Sequence, residues 1–281
     1  SERHATMRMR RSRILAKLRA GEVVTCTKLN TSDPRVAEIA AMSGFDSLWI
    51  CMEHVPNTLR DVENQVRAAK MYDVDTIVRV PRGCYSDLIR PLEMDAAGIM
   101  IPHVMSADEA RAIVRQTRFA PLGLRPLDGG NSDGAFTTIP GPEYMQQANH
   151  GRVVIVQIED PEAMTQLDEI AAVEGIDMLL FGPGDFSQAI GAPYQLDHPE
   201  IADASRRVVD AARRHGKFAG AIADLNTYQR RVDEGYRFVS VSADVVLLAE
   251  GFARIAAAIG GTPAPPVERG DIYTGHIPGG P

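Results

Sequence analysis

The chain has 281 residues, 44% of them hydrophobic, enough to bury one large core and a better fit to a single big α/β domain than to two small ones. A formal charge of −7 argues against a nucleic-acid surface, and no apolar run approaches the length that spans a bilayer. Three cysteines without CxxC spacing (Cys26, Cys51 and Cys84) indicate neither a disulfide framework nor a zinc cluster; with no secretory apolar segment at the N-terminus, the expected compartment is the reducing cytoplasm.

The basic run at 8–13 reads as the solvated face of an N-terminal helix over 7–19, ending at Gly21. Strands are expected at 23–29, 47–53, 75–80, 98–104, 153–159, 178–182, 218–223 and 238–242. They are short, rich in Val and Ile, and often continuously apolar, as strands covered by helices should be. Helical patterns fall between them, at 34–43, 59–72, 85–95, 107–119, 161–173, 199–215 and 225–235, with an Ala-rich helix at 244–260 after the last strand. Eight strands with interleaved helices predict one (β/α)8 TIM barrel over 1–260. Two segments break the rhythm. Residues 120–152, rich in Gly, Pro, Asn and Asp and without clear elements, fall on the face opposite the strand C-termini unless they fold back or reach a neighbouring subunit. Residues 261–281 form a Gly/Pro-rich tail, expected to be extended or disordered.

Two carboxylates, Glu159 and Asp185, stand where the fifth and sixth strands stop. Strand C-termini are where barrels do chemistry, and two hard oxygen ligands at that mouth invite a divalent cation. Either acid alone could be an ordinary helix cap. His54 and Arg79 also end or follow apolar strands. A lone loop histidine is usually a surface group, but here it joins three other strand-end polar groups and could move a proton at neutral pH. A buried arginine needs an anion, whether a barrel carboxylate or a substrate. Gln157 shares strand parity with Glu159, so both should point inward. The turn Gly182-Pro183-Gly184-Asp185 opens toward a helix and could offer backbone N–H groups to a carboxylate.

In order and spacing, Gly44-Phe45-Asp46, Glu53-His54-Val55-Pro56-Asn57, Val78-Arg79-Val80-Pro81, Ile101-Pro102-His103-Val104, Val156-Gln157-Ile158-Glu159 and Phe181-Gly182-Pro183-Gly184-Asp185-Phe186-Ser187 resemble the HpcH/HpaI metal-dependent pyruvate aldolases, in the phosphoenolpyruvate/pyruvate barrel superfamily. The resemblance implies a lyase that cleaves a 4-hydroxy-2-oxo acid to pyruvate and an aldehyde through a metal-bound enolate. It implies Glu159 and Asp185 as ligands of a divalent metal, Mg²⁺ or Mn²⁺ with Co²⁺ able to substitute, and Arg79 as the charge on the enolate oxygen. His54 would transfer protons, Glu93 would be its acidic partner, and Gly184 with Asp185 would hold the pyruvate carboxylate. Homo-oligomers, trimers or hexamers, with a C-terminal helix packed on a neighbour are implied too.

Three departures stand out. Cys51 replaces the Asp usual three residues before the histidine. Lys28 stands where better-known aldolases carry an aromatic residue, which places it among the substrate-binding candidates. The loop's usual Gly-x-Arg-Gly survives only as Gly123-Leu124-Arg125-Pro126, so Arg125 is a further candidate on a rebuilt acceptor side. Competing readings are an oxaloacetate-type decarboxylase, an acyl-thioester lyase, or a non-catalytic barrel that binds a metal or keto acid. A Schiff base at Lys28 ranks below these, since a metal-ligand pair is already present.

Overall fold

In the computed structural model, which describes residues 8–262, eight parallel strands close into a barrel in chain order. They are β1 (Val24–Leu29), β2 (Ser47–Cys51), β3 (Asp75–Arg79), β4 (Gly98–Ile101), β5 (Val153–Ile158), β6 (Met178–Phe181), β7 (Phe218–Ala223) and β8 (Phe238–Ala243). Helices cover the outside: α2 (Pro34–Met42), α3 (Leu59–Lys70), α4 (Tyr85–Glu93), α5 (Ala107–Thr117), α7 (Leu167–Ala171), α9 (Pro199–Arg214) and α10 (Tyr228–Glu234). Because strand side chains alternate, each strand feeds two cores. Leu48, Ile50, Val78, Ile99, Val154, Val156 and Leu179 pack outward against helices. Cys26, Trp49, Ile77, Met100, Ile155, Met178, Leu180 and Phe238 fill the barrel interior.

The N-terminal helix, α1 (Arg13–Arg19), plugs the bottom of that interior with Ile14, Leu15 and Leu18. Among the described residues it starts six positions later than the basic run predicted. Ser12 is its N-cap, accepting from the Leu15 N–H and donating to Asp75 Oδ2 at 2.7 Å. Arg10 pairs with Asp73 and Asp75. The arginines that looked like a helix face therefore belong partly to an extended lead-in tied to the start of β3.

The long connection before β5 is more ordered than its composition indicated. It holds a single 3-10 turn, Ser132–Gly134, and a helix, α6 (Gly141–Gly151), whose Tyr144 and Ala148 pack with Phe119 and Ile139. Gly141-Pro142 at the start and Gly151 at the end hid the helix, although Pro is favoured in a first turn. The expected helix at 161–173 divides into a 3-10 turn, Pro161–Thr165, and the short α7. The turn after β6 becomes α8 (Pro183–Ala189), with Asp185 in its first turn. The last helix, α11 (Asp244–Ala258), touches β1 and β8 near its start but leaves Leu247, Phe252, Ile255 and the following Ile259 exposed. Of the expected tail, 263–281 lie outside the described residues.

Candidate active site

Side chains of one parity put Lys28, Cys51, Arg79, Gln157 and Glu159 at the C-terminal mouth, one layer above Cys26, Trp49, Ile77 and Ile155. All five are buried. The register sets Cys51 beside Arg79 across β2 and β3. Next to Lys28 the β1–β8 pairing shifts by a residue, and Ser242 takes a left-handed φ of 61°. Such irregularities re-aim side chains at a barrel rim.

Arg79 organises the centre. Its Nη2 donates to Cys51 Sγ at 3.2 Å and its Nη1 to Gln157 Oε1 at 3.4 Å, while its guanidinium carbon lies 4.8 Å from the Trp49 ring centroid. Arg79 Nε stands 3.0 Å from Glu53 Oε2, an ion pair off the line of a hydrogen bond. Both of those buried atoms consequently lack a hydrogen-bond partner among the described residues. A buried donor and acceptor left open side by side are what a ligand would satisfy. Gln157 relays onward, its Nε2 donating to Glu159 Oε2 at 2.7 Å. Lys28 Nζ lies 5.5 Å from the Trp49 centroid, and burial, reinforced by the charge of Arg79, lowers its pKa to about 8.

Glu159 and Asp185 converge, and a third group joins them that the sequence reading did not assign. One ligand atom from each of His103, Glu159 and Asp185 lies within 4.8 Å of the other two. His103 follows β4 in a left-handed conformation, φ 53°, a sparsely used backbone state for a non-glycine residue. That turn brings its N–H to Glu159 Oε1 at 2.9 Å and its Nδ1 to Asp160 Oδ2 at 3.0 Å. Burial pulls the His103 pKa down, but Glu159, Asp160 and Glu53 outweigh it and raise it. Burial pushes Glu159 up to about 7; His103 and Arg79 oppose the rise, whereas the nearby Asp185 adds to it. Repulsion between the buried Glu159 and the exposed Asp185 beside it is the electrostatic condition a divalent cation relieves. Gly182 belongs to the same cradle: a Cβ there would meet Glu159 Oε2 at 2.3 Å. The donors present, two carboxylates and an imidazole whose ligand atoms lie within 4.8 Å of one another, fit Mg²⁺, Mn²⁺ or Co²⁺.

His54 sits on the rim, its side chain 58% exposed and its Nε2 3.4 Å from Glu53 Oε2. Its backbone N–H donates to Cys51 Sγ at 3.4 Å. Gly184 and Asp185 occupy the first turn of α8, where N–H groups have no acceptor within the helix.

Two expected site residues are not brought to this mouth within the chain. Glu93 ends α4, and outer helices run opposite to the strands, so it emerges near the strand N-termini. The charged groups about it are Arg125, Asp133, Asp128 and Arg90, not His54, and burial raises its pKa. Arg125 is locked in the same cluster: Nη2 donates to Asp133 Oδ2 at 2.9 Å and to the Tyr144 hydroxyl at 3.2 Å, above the Phe119 ring. Within one chain it is a structural cation. Glu53, by contrast, touches Arg79, His54 and His103 together, and was passed over because it looked like the end of a strand.

A (β/α)8 barrel that gathers groups able to hold a cation and a buried arginine at its C-terminal mouth has the architecture expected of a metal-assisted enzyme. The chain belongs to the HpcH/HpaI aldolase/citrate lyase family, which matches residues 28–251. A hydroxypyruvate/pyruvate aldolase from Pseudomonas aeruginosa is 35% identical over 256 residues, covering 90% of this chain and 95% of its own. A 2-keto-3-deoxy-L-rhamnonate aldolase from Escherichia coli is 36% identical over 235 residues, 83% of this chain and 88% of its own. Among solved structures, an HpcH/HpaI aldolase from Desulfitobacterium hafniense superimposes with a TM-score of 0.83 at 32% identity, covering 89% of this chain and 97% of the other.

Proposed function

We propose that the chain is a class II aldolase, a divalent-metal-dependent carbon–carbon lyase that cleaves a 4-hydroxy-2-oxo acid to pyruvate and an aldehyde. The observation that carries this reading is the meeting of Glu159, Asp185 and His103 beside an Arg79 whose Nε–H has no hydrogen-bond partner among the described residues. Aldolase relatives covering most of the chain support it.

A divalent ion held by Glu159 and Asp185, with His103 able to join them, would supply Lewis-acid polarisation of the 2-oxo group. The rest falls to the chain's own side chains. First-turn N–H groups of Gly184 and Asp185 would take the substrate carboxylate. His54, on the solvent side, would accept the 4-hydroxyl proton as the C3–C4 bond breaks and the aldehyde leaves. Electrons from that bond collect on the 2-oxo oxygen, where Arg79 would meet them with a fixed planar cation in a buried setting. Returning the proton to C3 gives pyruvate. Gln157 bridges Arg79 to Glu159, so the cation and the metal carboxylate would be positioned together. Lys28 would add positive charge beneath Arg79.

The direct test is pyruvate release from a panel of 4-hydroxy-2-oxo acids. We expect release with Mg²⁺, Mn²⁺ or Co²⁺ and its loss with EDTA; release that is indifferent to chelation would reject the metal reading.

The exposed apolar face of α11 supports assembly into a homo-oligomer, which we read as a trimer or hexamer. A helix end exposing Leu247, Phe252 and Ile255 together needs a cover, and a second copy of the chain supplies one. Light scattering at micromolar concentration should return a multiple of the chain mass, and Phe252→Asp should lower it; a monomeric wild type contradicts this. No described helix is long and apolar enough to cross a membrane. The free state of all three cysteines fits a cytoplasmic place of action.

A further inference from the structure

Cys51 occupies the position where the sequence departs from the expected acid, and its surroundings are those of an anion. Its sulfur accepts from Arg79 Nη2 at 3.2 Å and from the His54 N–H at 3.4 Å, and its backbone carbonyl accepts from Asn57 Nδ2 at 2.8 Å. Every charged group that bears on the sulfur from β1 and β3, Lys28 and Arg79, is a cation. An arginine has no acceptor lone pair, so the Arg79 contact requires the sulfur to be the acceptor. We infer that Cys51 is a thiolate that stands in for the missing carboxylate, acting as a positioning residue that holds Arg79 and the His54 turn in place.

Three further observations agree. Burial alone would push the Cys51 thiol up, yet the charge of Arg79, the His54 N–H and the charge of Lys28 hold it below the usual thiol range. Cys26, two residues below Arg79's layer and without a cation, goes the other way, pushed up to about 12 by burial. Arg79 has three polar neighbours set by geometry (Cys51, Gln157 and Glu53); Cys51 and Glu53 draw it toward the end of β2, and of these two Cys51 is the one that accepts a hydrogen bond from it, at Nη2. The sulfur thus fixes which edge of the guanidinium faces the pocket. Cys51 acts through Arg79.

The inference rests on the aldolase reading for its consequence but not for its detection. In the full-length protein, Cys51→Ala should slow the metal-dependent exchange of pyruvate methyl protons with D₂O by about 10-fold or more, because the misplaced cation no longer meets the enolate oxygen. The KM for pyruvate should stay within about 3-fold, since ground-state binding is unaffected. Cys51→Ser, close in size but uncharged, should be slow as well, whereas Cys51→Asp should recover exchange to within a few-fold of wild type. A filler role would rank the variants by size, with Ser best and Asp worst, and that order overturns the proposal. The second readout needs no turnover. Wild type should show thiolate absorbance in the far ultraviolet at neutral pH, absent in Cys51→Ser and lost in Arg79→Gln. If wild type shows no proton exchange, the aldolase reading falls while the absorbance still decides the Cys51–Arg79 pairing; absence of the band overturns that pairing whatever the activity.

Discussion

Glu159→Ala and Asp185→Ala should each weaken divalent-metal binding by about 10²-fold or more in titration calorimetry, because a site of few protein ligands has no substitute for a lost carboxylate. Metal-free stability should move the other way. In the folded protein burial raises Glu159 to about 7, against the opposition of His103 and with Asp185 adding to the rise. An acid whose pKa is raised by folding costs stability that grows as pH rises from its ordinary value to about 7 and persists in full above it. Removing either carboxylate relieves that repulsion, so the metal-free variants should melt no lower than metal-free wild type. Added Mn²⁺ should then raise the melting temperature of wild type and leave both variants where they were. Glu159→Gln, which keeps the shape and the Gln157 contact, guards against a packing artefact. Unchanged metal affinity in both single variants would remove the assignment.

What could be read from the sequence follows from which physical signals are local. Strand alternation is local. It put Gln157 and Glu159 on one inward parity, and both side chains are buried at the barrel mouth. The family and the aldolase class were legible too, because the motifs around Glu53-His54, Arg79 and Gly182 to Asp185 keep their order and spacing. His103 was not picked out, since its role depends on one left-handed residue after β4 that no composition or period announces. Ile101-Pro102-His103 does carry a faint signal, a titratable group just past an apolar strand, of the same kind that singled out His54. Glu93 and Arg125 do not reach the mouth of their own barrel, for a geometric reason. Chain position says which connection a residue occupies, but a helix end near a strand start lies a barrel's height from the mouth. The N-terminal helix was overextended because arginines favour helices and also pair with acids; here the pairing of Arg10 with Asp75 won.

Arg79→Lys should lose about 10²-fold or more in rate although it keeps the charge, because an ammonium cannot reproduce a planar fork held at several points. Nη2 answers Cys51, Nη1 answers Gln157, and Nε faces Glu53 with its hydrogen unclaimed. A lysine at this position could satisfy one of these neighbours and would leave the others, buried, without a donor. Proton exchange of pyruvate in D₂O isolates the step, since it reports enolate formation with no aldehyde present and without guessing the acceptor half of the substrate. The Arg79 variant should lose this exchange while still binding metal, separating it from the Glu159 and Asp185 variants, which should lose both. His54→Ala should behave differently again. Its ring lies on the rim, 58% exposed and beside Glu53, on the side where an aldehyde would leave. Aldol cleavage should therefore fall much further than pyruvate affinity, and aldehyde-free exchange should fall less than cleavage if another base serves the methyl group. An Arg79→Lys enzyme with wild-type exchange would show that the charge alone suffices, and the geometric argument built on Cys51, Gln157 and Glu53 would fail with it.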